Sequence, residues 1–209
     1  DTYNKDDEEG TDYNEGEEVT ASALAIMDQF TPVKVWTSLG NMETDTIHDE
    51  INKGCGFLFF AGHGAPHLWA THVNGNYSAW VGEFSNTDIR KLSNSKMWPI
   101  LLVGGCHNSE IDARPWNFLI GLLTEGRNYF STDPGTWGSF WKYNWVPECW
   151  SWVFVAARGG AIASLGSCGY GCDEIGDKNH DSIPDCTQYY DGWLELEFFR
   201  LYNKENVTV

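Results

Sequence analysis

The sequence predicts an α/β protein built on a mostly parallel sheet, and three observations carry the prediction. Phe57–Phe60 and Pro99–Val103 are apolar at every position and run into small residues, Ala61-Gly62 and Gly104-Gly105. Ala161–Leu165 repeats the pattern after a helical stretch and a Gly159-Gly160 stop. Unbroken apolar runs bounded by Gly or Pro read as strands buried on both faces, which parallel sheets require. Helical spacings alternate with these runs, as in βαβ units, and layer helices on a sheet.

The acidic opening, Asp1 to Glu18, has little apolar content and reads as a solvated loop. Val19–Phe30 has helical spacing, with Thr20 or Ser22 available as a cap. Pro32–Trp36 reads as a short strand. Thr44–Lys53 reads as a helix, with Ile47 and Ile51 on one face and Gly54 as the stop. After the Phe57 strand, Ala65–Phe84 is aromatic and rich in Gly and Asn, and reads as a loop; Asn86–Leu92 reads as a short helix. Beyond the Pro99 strand, His107–Asn144 holds one helical stretch, Trp116–Thr124, and a segment of that length is usually functional or an insertion. Pro147–Arg158 is a helix, Ala161–Leu165 a strand, 166–190 a Cys-rich loop, and Trp193–Tyr202 a closing helix. No internal repeat is present, and residues 1–209 read as a single domain.

The 209 residues carry a formal charge of −17. That charge argues against a nucleic-acid partner and suggests a solvated, cation-binding surface. No apolar run approaches the ~20 residues of a membrane span. Of the six cysteines, Cys168, Cys172 and Cys186 crowd into one loop, which favours a disulfide among them in an oxidising compartment. Zinc is the competing reading, weakened because no second close pair completes four ligands. Asn76-Tyr77-Ser78 and Asn206-Val207-Thr208 are glycosylation sequons. Together these features suggest an extracellular or cell-surface protein.

His63 follows one buried strand and Cys106 another, where open α/β sheets collect their chemistry. An imidazole beside a thiol can take its proton and hold the thiolate, which attacks carbonyl carbon. The plainer alternatives are a buried structural cysteine and a satisfied core histidine. His107 and Asn108 after Cys106, and the pairing of His63 with Cys106, weigh against them. A metal cluster of His63, His67 and His72 fits one helix poorly, because Gly64 and Pro66 interrupt it.

The strand with Gly62-His63-Gly64, the Asp88–Lys96 stretch leading into Pro99–Cys106, and Cys149–Ser164 resemble the gingipain-like cysteine peptidases of family C25 in the caspase-like clan. The resemblance covers most of Val19–Leu165. It implies a caspase-like three-layer α/β/α fold and peptide-bond cleavage through an acyl-enzyme. By position, Cys106 matches the nucleophile and His63 the catalytic histidine, while Gly64 and the Cys106 N–H match the oxyanion donors. Ala61 matches a pocket wall, and Gly104 with Gly105 would leave room for a substrate side chain. Asp1 matches the acid that orients the histidine. Glu17 and Glu18 fall where basic-specific members keep a pocket carboxylate, and Tyr170 matches an aromatic lid. The resemblance also implies strands before Asp1 and a closing segment after Val209. The chain is therefore expected to be part of a longer or processed protein, with other chains or domains of the same precursor as partners.

Oxygen side chains alternate at Asp177, Asn179, Asp181 and Asp185. Hard cations want such donors, and the stretch resembles the DxNxD calcium loops of extracellular repeat proteins; a polar turn is the alternative. The aromatic residues Trp69, Tyr77 and Trp80, with Trp137, Phe140, Trp141, Tyr143 and Trp145, could line a substrate groove, pack long loops or form an oligomer contact. The function expected is a secreted cysteine endopeptidase acting on protein or peptide substrates, with structural calcium and a basic residue preferred beside the scissile bond. A non-catalytic calcium-stabilised assembly protein on the same scaffold, or a transpeptidase, are the alternatives. Burial of Cys106, or a disulfide there, would favour the non-catalytic reading.

Overall fold

The computed structural model describes residues 14–74, 76–112, 115–131, 138–140 and 146–205. In chain order the elements are α1 (Glu15–Ile26), α2 (Thr44–Asn52), β1 (Phe57–Ala61), β2 (His63–Ala65), β3 (Leu68–Val73) and β4 (Asn76–Ser85). They continue with α3 (Asn86–Ile89), β5 (Ile100–Gly104), α4 (Pro115–Glu125), α5 (Trp150–Ala156), β6 (Ala163–Gly166) and α6 (Tyr190–Glu205). Two compact units divide the chain. One comprises His48–Ala70 and Glu83–Gly171; the other takes Asp1–Ile47, Thr71–Gly82 and Cys172–Val209.

The first unit holds a parallel sheet in the order β1-β5-β6. Phe57 to Ala61 pair in register with Ile100 to Gly104, and Ile100 to Val103 pair with Ala163 to Gly166. The α/β class and the parallel sheet are as expected. β5 lies between two neighbours, and Leu101, Leu102 and Val103 are almost wholly buried. β1 and β6 flank it, so of β1 only Phe60 is buried and β6 reaches solvent, unlike the two-faced burial expected for all three. Around Phe60 cluster Trp69, Phe84, Trp150 and Phe154, with ring centroids 4.8–6.1 Å from its own. Trp150 is fully buried, and its indole N–H donates to the Phe84 carbonyl at 2.7 Å, so this large apolar ring leaves no buried donor unpaired.

In the second unit α1 packs against α6 through Val19, Ala23, Met27, Leu196 and Phe199, all buried. Gly192 permits the close approach of α6 to the Cys186 segment: a Cβ there would lie 1.9 Å from the Cys186 carbonyl oxygen.

Several expected elements differ. Helix α1 begins at Glu15, so Glu15–Glu18 form its first turn rather than a loop; carboxylates there complement the helix dipole. Thr20 and Ser22 are therefore inside the helix, and Thr20 Oγ1 bonds back to the Gly16 carbonyl. Residues 32–36 are extended without a strand partner. The Asn41 side chain serves them instead, accepting from Trp36 N and donating to the Lys34 carbonyl. The expected loop 65–84 contains β2, β3 and β4, a three-stranded sheet in that order. Its strand signal lies in Trp69, Thr71, Val73, Trp80 and Phe84. The helices over 86–92 and 147–158 are shorter, and α6 extends in both directions beyond 193–202. All six cysteines are free thiols. The disulfide expected among Cys168, Cys172 and Cys186 is thus not formed: Cys186 is buried, donating to the Glu15 carbonyl, whereas the other two are exposed. No helix among the described residues is long and apolar enough to cross a membrane.

Candidate active site

β1 and β5 end side by side, with Ala61 opposite Gly104. Pairing continues one step further, as Gly62 N donates to the Gly104 carbonyl at 3.2 Å. His63 and Cys106 each follow two residues after that last pair, on parallel backbones spaced ~4.8 Å apart. The contact persists beyond the sheet. A Cβ at Gly105 would lie 3.2 Å from the Gly64 Cα and N, and one at Gly64 would lie 2.6 Å from the Cys106 carbonyl oxygen. Both glycines are thus required by packing between the two segments. That overturns the expectation that Gly105 leaves room for a substrate side chain: Asn108 Oδ1 fills the space, 2.2 Å from where a Cβ would be. His63 is exposed and Cys106 half-buried, with its thiol 3.9 Å from the Gly171 carbonyl oxygen. Neither condition for the non-catalytic reading, a buried Cys106 or a disulfide there, is met.

The segment after Cys106 is held on three sides. His107 takes a left-handed backbone, φ 59°, which turns the chain sharply after the candidate nucleophile. Its N–H donates to the Gly169 carbonyl (2.7 Å), Ser109 N to Ser167 (3.1 Å), and Ser151 N to the Asn108 carbonyl (3.0 Å). Ser109 and Ser151 hydroxyls bond at 2.7 Å. His107 is buried with Nδ1 2.7 Å from Glu110 Oε2. A carboxylate only accepts, so Nδ1 carries the proton. Tyr170, expected as a lid, is exposed and meets the His107 ring edge-on at 4.8 Å. The buried His107–Glu110 pair and the clamp made by Asn108 escaped the sequence reading. Their only trace was a polar run, Cys-His-Asn-Ser-Glu, directly after a buried strand.

Burial separates three of the other thiols and one other histidine from this chemistry. It pushes the Cys55, Cys149 and Cys186 thiols up, away from the reactive thiolate. It also pushes His67 down to about 4, leaving that ring neutral. Gly104 and Ala61 are half-buried strand ends.

The remaining candidates lie in the other unit. Glu17 accepts from Thr37 Oγ1 (3.0 Å) and Ser38 N (2.9 Å) on Oε1 and from Ser38 Oγ (2.5 Å) on Oε2. Glu18 is half-buried. Asp1 lies outside the described residues, as do Trp137, Trp141, Tyr143, Trp145 and the 206–208 sequon. In the 177–185 loop, Asp177 accepts from Asp181 N and Ser182 N, Asp181 from Ile183 N, and Asp185 from Lys178 N. Asn179 donates to Asp181 and Gln188. Among the described residues, no three His, Cys, Asp or Glu side chains converge as a metal site.

The family model for peptidase family C25 matches residues 2–194. No curated protein matches the chain. Among solved structures, the Arg-specific cysteine proteinase gingipain R is similar, with 15% identity and a TM-score of 0.45 over 75% of this chain and 28% of that one. A second, described as a protease, shows 14% identity and a TM-score of 0.43 over 76% and 27%. The chain therefore spans a minor part of each of those proteins.

Proposed function

The chain belongs to peptidase family C25, and from that membership we propose a cysteine endopeptidase with Cys106 as nucleophile and His63 as proton shuttle. The observation that supports it most is the common register of the two strands, with His63 and Cys106 each two residues past the Ala61–Gly104 pair. In the proposed reaction His63 takes the Cys106 proton and the thiolate attacks the peptide carbonyl. The Gly64 and Cys106 N–H groups receive the oxyanion, a role whose loss typically costs ~100–1000-fold in rate. His63 then protonates the leaving amine as the C–N bond breaks. Water, deprotonated by His63, attacks the thioester and frees the carboxylate and the thiol.

A fluorogenic peptide library tests this, with iodoacetamide labelling mapped by mass spectrometry. Cys106→Ala and His63→Ala should each abolish cleavage, and His63→Ala should slow labelling at Cys106 but not at exposed Cys168. Full turnover by Cys106→Ala would sink the proposal.

The finer reading has a basic residue preferred beside the scissile bond. The family resemblance offers Glu17 and Glu18 as the candidates for that substrate side chain, and Glu17 is already bonded by Thr37 and Ser38. We also propose structural calcium at Asp177, Asn179, Asp181 and Asp185. In its support, all four offer oxygen, as a hard cation requires. Asp185 Oδ1 is also buried without a hydrogen-bond partner among the described residues. The exposed sequon at Asn76 supports an extracellular setting, where protein substrates and other chains of one precursor would be the partners.

A further inference from the structure

We propose that Asn108 is the positioning residue that holds the His63 strand in register with the nucleophile; this rests on the cysteine-peptidase reading above. Asn108 is fully buried two residues after Cys106. Its Nδ2 donates to the Ala65 carbonyl at 2.9 Å and to the Leu68 carbonyl at 3.0 Å. Those carbonyls are the two ends of the turn joining β2, which begins at His63, to β3. The turn's inner carbonyls are also occupied: Trp150 N donates to Pro66 at 2.8 Å and Asn86 N to His67 at 3.0 Å. All four consecutive acceptors are therefore tied, and of the three elements that tie them only the Asn108 segment also carries Cys106.

The carboxamide oxygen completes the clamp. Oδ1 is buried with no hydrogen-bond partner among the described residues, although buried acceptors are ordinarily paired. It faces two glycines: a Cβ at Gly64 would lie 2.0 Å from it and one at Gly105 2.2 Å. Glycine Cα–H groups are weak donors to such an oxygen. One planar side chain thus bonds both ends of the histidine hairpin and wedges the spacing between Gly64 and Gly105. Its own backbone is anchored by Ser151 N, so hairpin and nucleophile move as one piece. Aspartate matches the shape but offers no N–H to two carbonyl oxygens, and its charge would repel them.

Asn94 supplies a matched control. It is equally buried, donates to the Met97 (3.2 Å) and Gly160 (2.8 Å) carbonyls and accepts from Gly160 N (2.7 Å), away from the His63 hairpin. The experiment compares Asn108→Asp with Asn94→Asp, reading kcat and KM on a fluorogenic peptide and the pH profile of iodoacetamide labelling at Cys106. Displacement by about 1 Å is enough to cost ~100-fold. Asn108→Asp should lose that much in kcat with KM little changed, and its labelling profile should move toward that of His63→Ala. Asn94→Asp should lose thermal stability yet keep the wild-type profile. Should Asn108→Asp not fold, Asn108→Ser, which retains one donor, is read in the same way. A folded Asn108 variant with wild-type kcat and profile would overturn the proposal, as would an equal shift in the Asn94 variant. Indifference of wild-type labelling to His63→Ala would instead sink the peptidase reading itself.

Discussion

His63, His67 and His72 share one stretch of chain, yet their surroundings give them different chemistry. His63 is exposed beside the Cys106 segment, and His72 lies against the Trp80 ring at 3.9 Å. His67 is half-buried in the β2–β3 turn, and desolvation of its charged form pushes its pKa down to about 4. Unfolded, the same ring titrates near ~6.5. Between those values the unfolded chain binds the extra proton, so acidification favours unfolding. The stability is complete above ~6.5 and is lost as pH falls toward 4, by about 3 kcal/mol in all at ~1.36 kcal/mol per unit. His67→Gln should remove that slope: its melting temperature should fall several degrees less than wild type between pH 7 and 4.5. Parallel pH dependence in both proteins would contradict the burial argument. At this scale the sequence singled out the candidate reactive residues, but not which histidine was solvated, since that depends on the neighbours each acquires on folding.

At the scale of elements, α1 illustrates how a charged run becomes structure. Glu15–Glu18 look solvated in the sequence, yet they open a helix, and Glu15 lies on the same buried face as Val19 and Ala23. Glu17 fastens the short 3₁₀ turn Thr37–Leu39 with three hydrogen bonds. Charge-assisted bonds of this kind are worth ~1.5–3 kcal/mol each when buried, and less at this partly exposed site. Glu17→Ala should lower the melting temperature by roughly 3–6 °C, for a loss of about 1–2 kcal/mol. It should leave KM for an arginyl or lysyl peptide unchanged, whereas Glu18→Gln should raise it. A rise in KM with Glu17→Ala at unchanged stability would reverse the two roles. The strands at 57–61 and 100–104 were legible because every position is apolar. β2–β4 were obscured by Gly and Asn, and residues 32–36 resembled a strand only because side-chain bonds to Asn41, invisible in a propensity, replace a ladder.

For the whole molecule the dominant quantity is the charge of −17. At Glu195, burial first and then the nearby carboxylates Asp173 and Asp191 hold the carboxyl well above its usual range. Self-repulsion of this size is relieved by screening and more strongly by a bound cation. Sodium chloride should therefore raise the melting temperature modestly. Calcium at matched ionic strength should raise it further, by roughly 5–10 °C when ~100-fold above its Kd, equivalent to about 2.7 kcal/mol. Asp181→Asn with Asp185→Asn should abolish the calcium-specific part and leave the sodium effect. Equal effects of the two salts would remove calcium from the proposal.

The amino-acid sequence alone determined the α/β class, the strands that end at His63 and Cys106, and the family these motifs resemble. Those are properties of local pattern, in which unbroken apolar runs followed by glycine leave few alternatives. Only the tertiary structure decided that Gly64 and Gly105 are packing glycines, that the cysteines stay free, and that Asn108 ties the His63 hairpin to the Cys106 segment. Each of those depends on atoms brought together from distant parts of the chain, and no local periodicity encodes such a meeting.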